Sequence, residues 1–166
     1  MKKIIKSFLL ILTVISSLIS TVSCSDEVKY SKGGLTFTLP KDMKEMNVNY
    51  ADVCFGNDDG AEFFIYYYSR DALLTELYLD KDVSVSEYAD WFVDRNEYEN
   101  VDKKLNSAGN IIVMSYIYEP EEDYYVDYIT RNKEALFHVT MSCAASQIEK
   151  YQPIFEEWMA DIYIDM

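Results

Sequence analysis

A chain of 166 residues sets a prior of one domain. Its first 23 residues carry Lys2, Lys3 and Lys6 and no acid, and the remaining 143 hold 12 basic and 29 acidic side chains. That acidity excludes a nucleic-acid partner, whose phosphates would meet a repulsive field. The apolar share of 49% with 15% aromatic residues excludes a disordered acidic tail.

The chain opens with Met1-Lys2-Lys3-Ile4-Ile5-Lys6, then the apolar run Phe8 to Ile15, then small and hydroxyl residues at Ser16, Ser17, Ser20, Thr21 and Ser23. A spanning helix needs about 20 apolar residues, so this run is too short, and the three-part order is that of a secretory signal. Its end, Ser20-Thr21-Val22-Ser23-Cys24, resembles a bacterial lipoprotein signal, in which the cysteine is acylated and becomes the new N-terminus. Ordinary cleavage at Ser23 or Ser25 is the alternative. Acylation at Cys24 would anchor the protein to the membrane, at about 0.8 kcal/mol per buried CH₂, without spanning it. The expected organisation is a signal at 1–23, a short tether at 24–33 and one domain at 34–166.

Leu35 to Leu39 alternates apolar and hydroxyl residues and stops at Pro40, the pattern of a half-buried strand. A weaker alternation over 47–55 leads to the turn Asn57-Asp58-Asp59-Gly60 and a strand over 61–69, so 51–69 reads as a hairpin. Leu73, Leu74 and Leu77 suggest one or two helical turns. Ser84-Val85-Ser86-Glu87 is a capping box opening a helix over 85–96. Short strands follow at 101–105, 111–118, 124–131 and 135–143, the last three spaced as a meander. Ser146-Gln147-Ile148-Glu149 offers a second capping box, and Ile148, Tyr151, Phe155, Trp158 and Ile162 mark an amphipathic helix. Pro153 places its regular part from about Gln152. Strands at 63–68 and 111–118 are apolar on both faces and need cover on both sides. The fold class is therefore α+β, a three-layer helix–sheet–helix (α/β/α) sandwich around a mostly antiparallel sheet.

Leu35–Pro40, Ala61–Tyr67, Ser86–Phe92, Ala135–Ser142 and Tyr151–Ile162 stand in an order that resembles the PsbP-like superfamily, which includes DcrB-type lipoproteins and the Ran-binding protein Mog. The resemblance covers most of 34–163 and implies an antiparallel sheet between helical layers. It also implies an accessory or binding role rather than an enzymatic one. The chain departs from the family where Lys41-Asp42-Met43 and Asp161-Ile162-Tyr163 stand. No site residue carries over.

Two readings stand for Cys54 and Cys143: a disulfide, permitted by export, or two separate buried thiols. No Cys/His spacing suggests a metal, and nothing calls for a cofactor. His138 shares a strand face with Leu136, Thr140 and Ser142. Ser142 lies about 13 Å along the strand, too far for a hydrogen bond, so a structural histidine is expected. The acid clusters Asp58-Asp59 and 119–123 lack calcium-loop spacing and read as solvated turns. Tyrosine is the unusual residue, with 15 in all and 5 between Tyr116 and Tyr128. Tyr118, Glu119, Glu121, Glu122, Tyr124 and Tyr125 form the candidate partner surface. Rings and carboxylates together would hold a cationic group of an envelope protein or a small ligand. The alternative function is a small hydrolase or carbohydrate-active protein using paired acids.

Overall fold

The computed structural model describes residues 27–165. The expected export signal at 1–23 and the expected acylation site, Cys24, lie outside the described residues.

Leu35, Phe37 and Leu39 point one way along the strand Leu35–Pro40 (β2) and are buried, while the residues between them are only partly covered. The residues before it do not form the expected tether. Glu27–Lys32 is a strand, β1, paired antiparallel with β2 from Glu27↔Pro40 to Lys32↔Leu35. Gly33 and Gly34, at φ 60° and 89°, make the two-residue turn between them, a conformation that matches strand twist and that glycine adopts without strain. A Cβ on Gly33 would also stand 3.0 Å from the Tyr67 ring.

The meander spacing produces a seven-stranded antiparallel sheet. In chain order its strands are β3 (Lys44–Met46), β4 (Val53–Gly56), β5 (Glu62–Ser69), β6 (Asp102–Leu105), β7 (Ile111–Tyr118), β8 (Asp123–Arg131) and β9 (Ala135–Ala144). In space they run β3-β4-β5-β9-β8-β7-β6, with the longest strands at the centre. Asn57 fixes the β4–β5 turn, its side-chain oxygen accepting from the amides of Asp59 and Ala61.

Both faces are covered, as the two-sided apolar strands require. One face carries Phe63, Ile65, Val126, Phe137, Val139 and Met141. It packs against β2 and the helix α3 (Ile148–Ala160) through Tyr151, Phe155 and Trp158. A short strand β10 (Tyr163–Ile164) closes the chain on the free side of β2, so this outer layer is part sheet and part helix. The other face carries Ile112, Met114, Ile129 and Leu136 beneath α1 (Arg70–Thr75) and α2 (Val85–Asn96). The α+β sandwich and its antiparallel sheet stand as expected, with one outer layer mixed.

Two local expectations change. The capping box forms at Ser84–Glu87, with both reciprocal bonds, but the one expected at Ser146 does not: Gln147 caps α3 without a side-chain bond. The helix runs from Ile148 straight through Pro153. The proline sits on the exposed side, and burial of Tyr151, Phe155 and Trp158 outweighs one missing hydrogen bond there.

A disulfide between Cys54 and Cys143 does not form. Cys54 is paired across β5 to Thr140 of β9, and Cys143 lies three residues beyond Thr140. Odd spacing along a strand reverses the side chain, so the two thiols point to opposite faces of one sheet. Both are free and buried, and burial pushes each thiol pKa up to about 11.

Candidate functional site

The helix α2 cannot cover its whole face of the sheet. Its 12 residues extend about 18 Å at 1.5 Å per residue, while the 10 residues of β9 extend about 33 Å at 3.3 Å each. Leu136 and Ile129 lie under the covered half. His138 also lies under α2, against Tyr88 and Phe92, and the same face continues past it as Thr140 and Ser142 on β9, with Asp127 and Tyr125 alongside on β8.

Register brings these residues together. His138 is paired with Tyr66 of β5, Thr140 with Asp127, and Ser142 with both Glu62 and Tyr125. The outcome is a buried polar network. His138 Nε2 lies 2.9 Å from Asp127 Oδ1, and these side chains are 1% and 0% exposed. Thr140 donates its hydroxyl to the same carboxylate oxygen at 2.6 Å. The Tyr88 hydroxyl, from the middle of α2, meets His138 Nδ1 at 3.0 Å. With Nε2–H facing the carboxylate, Nδ1 accepts from Tyr88, so one proton arrangement satisfies both contacts. Asp127 Oδ2 is buried without a hydrogen-bond partner.

Above this network lies a cleft of about 560 Å³. Its floor is His138 and Thr140, with Tyr66 on the β5 side and Tyr116 and Tyr125 on the other. Phe92 and Asn96 from the last turns of α2 form one wall, and Tyr50 the opposite one. The αL backbone at Glu97 (φ 55°) ends the helix and turns Tyr98 back onto Tyr116, the rings stacking at 4.4 Å. Tyr116 stacks in turn on Tyr125 at 5.4 Å.

Charge in the cleft is of one sign. Glu62, Glu121 and Asp123 line it, and among the described residues no lysine or arginine does. Burial raises the Glu62 carboxyl above its usual range, and the charge of Asp123 adds to this, while the Ser142 hydroxyl opposes both. Asp123 is raised by burial and by Glu121. Tyr125 donates to Glu121 at 3.0 Å; burial first, then that bond, hold its hydroxyl well above the ordinary tyrosine value. Tyr116 is held higher still by burial and by the nearby Asp127 charge. Tyr116 and Tyr125 therefore hold their protons beside the acidic side chains of Glu62, Glu121 and Asp123.

Of the six residues expected to form a partner surface, Tyr118, Glu121 and Tyr125 line this cleft. Tyr124 does not. It neighbours Tyr125 on β8, so it points to the opposite face, where it is 9% exposed in the core against α3. Glu119 and Glu122 stay exposed on the β7–β8 loop outside it. Sequence reasoning missed Tyr66, Tyr98, Tyr116, Asp127 and Glu62, which reach the site only through strand register and the chain reversal after α2. Among the described residues no group of three or more His, Cys, Asp or Glu side chains converges as metal ligands.

Neither a family model nor a curated protein sequence matches the chain. Solved structures do match in shape. The cyanobacterial PsbP protein (CyanoP) of Synechocystis sp. PCC 6803 superposes with a TM-score of 0.57 at 16% identity, over 88% of this chain and 96% of that one. The fold is PsbP-like. A protein from Bacteroides thetaiotaomicron superposes with a TM-score of 0.50 at 12% identity over 84% of this chain, which spans 48% of that protein's length. At these identities the likeness carries the fold and leaves the site to be argued from its own residues.

Proposed function

We propose that this chain is a non-enzymatic accessory protein of the bacterial envelope, anchored through acylated Cys24, whose tyrosine-lined cleft holds a cationic group. The carrying observation is the cleft's chemistry: Tyr66, Tyr98, Tyr116 and Tyr125 supply ring faces, three carboxylates supply charge, and among the described residues no lysine or arginine competes. A ring face attracts a cation by about 0.5–2 kcal/mol, most when the contact is desolvated. An accessory role agrees with the PsbP-like fold. The polar network below the cleft supports the same reading. Thr140 gives its proton to Asp127, which already faces His138 Nε2, so the threonine hydroxyl meets no free imidazole nitrogen.

The test is titration of the purified protein with tetramethylammonium, lysine amide and arginine amide, followed by NMR shifts of the cleft residues. Acetate and glucose are the controls. Binding of the cations alone, weakened about 2–30-fold by Tyr66→Leu or Tyr125→Leu, is expected, since each ring removed forfeits a contact of this size. Equal response to acetate or glucose, or cation binding indifferent to both substitutions, would refute it. Extraction of the native protein from membranes and intact-mass measurement tests the anchor, with a gain of acyl mass at Cys24 expected.

A further inference from the structure

The outer edge of β7 is paired for only part of its length. The β6–β7 register runs from Leu105↔Ile112 to Asp102↔Ser115 and then stops. Continued by two residues it would set Asn100 against Ile117, but Asn100 has φ 55° and takes the chain off the strand path. The direction of the free groups can be read from the other end. Ile111 accepts at its carbonyl from the Asn106 amide (2.9 Å) and donates its own amide to the Asn106 side chain (3.2 Å). Main-chain groups of Ile111 therefore point toward the β6 side, and alternation along an antiparallel strand sends those of Val113, Ser115 and Ile117 the same way. Among the described residues nothing pairs with Ile117 on that side, and its side chain is 44% exposed. In place of the missing strand lies a cavity of about 630 Å³, bordered by Tyr98, Glu99, Asp102, Ile117, Tyr118 and Glu119. Acids border it, and among the described residues no basic side chain does.

We infer that this edge receives an extended segment of a partner protein as an added strand, continuing the line of β6, with the side-chain pattern basic–apolar–basic. Period-two geometry sets the pattern. The residue opposite Ile117 shares its face and packs on Ile117. Its two neighbours point to the tyrosine face, toward Tyr98 and Tyr118, where rings and glutamates favour lysine or arginine. The charge preference rests on the cleft reading above; the main-chain pairing at Ile117 does not.

A seven-residue peptide alternating lysine with valine is the probe, with full-length protein in detergent. Controls are the same peptide with glutamate for lysine, and one with N-methylated valines, which cannot pair. The lysine peptide is expected to slow amide exchange of Ile117 at least tenfold, and the N-methylated form to bind at least tenfold more weakly. Ile117→Pro removes the outward amide without touching the β7–β8 ladder, as proline is tolerated on an edge. It should abolish peptide binding yet leave tetramethylammonium binding in the cleft unchanged. Equal binding of parent and N-methylated peptides, or no binding of the lysine peptide at millimolar concentration, overturns the inference. Loss of tetramethylammonium binding in Tyr66→Leu with the Ile117 protection retained would separate the two sites. If the glutamate peptide binds as well as the lysine one, the edge stands without its charge preference and the stated pattern is wrong.

Discussion

The polar network under the cleft makes a quantitative claim about stability. His138 and Asp127 are fully enclosed and 2.9 Å apart. Replacing His138 with leucine removes the imidazole donor and leaves the Asp127 carboxylate in the sheet with only the Thr140 hydroxyl. Removing a buried hydrogen bond to a charged group costs about 1.5–3 kcal/mol. At about 3–4 °C per kcal/mol for a domain of this size, Tm should fall by roughly 5–12 °C. Asp127→Asn removes the charge while keeping an acceptor for Thr140, and should cost about 1–3 kcal/mol. The informative variant is D127N/H138L, because the leucine no longer strands a charge. It should be about 2 kcal/mol more stable than the summed single effects imply, within the range measured for residues in contact. Urea unfolding followed by tryptophan fluorescence gives all four free energies, with an unchanged m-value showing that the compared states are the same. Additivity within about 0.5 kcal/mol would refute the coupling, and with it the reading of His138 as part of a network.

Further outcomes follow from the same structure. The folded protein holds the Glu62 proton more tightly than the unfolded chain does, so stability is lost as pH rises from about 4.3 through the folded-state pKa. Glu62→Gln removes that loss: it should be more stable than the parent at pH 7 and equal to it at pH 3, and a pH-independent gap in urea midpoints would contradict this. Ser84→Ala removes the hydroxyl that accepts from the Glu87 amide, while the Ser84 amide keeps its bond to the Glu87 carboxylate, and should cost about 1 kcal/mol, read by thermal unfolding. Cys54 and Cys143 should titrate as two thiols in denaturant and resist alkylation at pH 8 when folded; identical Tm with and without reductant is the companion result.

The strands were legible because their apolar periodicity is strong and their turns carry Gly, Asn and Asp. The edge pieces were not. Glu27–Lys32 reads as a polar leader because β1 lies on the outside of its sheet, and its order comes from pairing with β2 rather than from its own pattern. The three-residue β3 and two-residue β10 are likewise made by their neighbours. Pro153 misled in the opposite direction, since a local penalty was weighed without the burial that overrides it.

For the site, alternation alone already separates Tyr124 from Tyr125, because adjacent strand residues cannot share a face. A surface built on both was therefore inconsistent with the strand that was assigned to them. The His138–Asp127 network was also within reach. The turn after Arg131 pairs it with Leu136, and counting outward from there sets Asp127 against Thr140 and places His138 on the same face. A one-residue slip in that turn would put Asp127 among the aromatic residues under α3, so the site depends on the hairpin between β8 and β9. The Asn132 side chain, accepting from the amides of Glu134 and Ala135, fixes that turn. A residue with no place in the cleft thus sets its register, and replacing Asn132 by alanine should loosen the cation site while Tyr66, Tyr116 and Tyr125 remain unchanged in sequence.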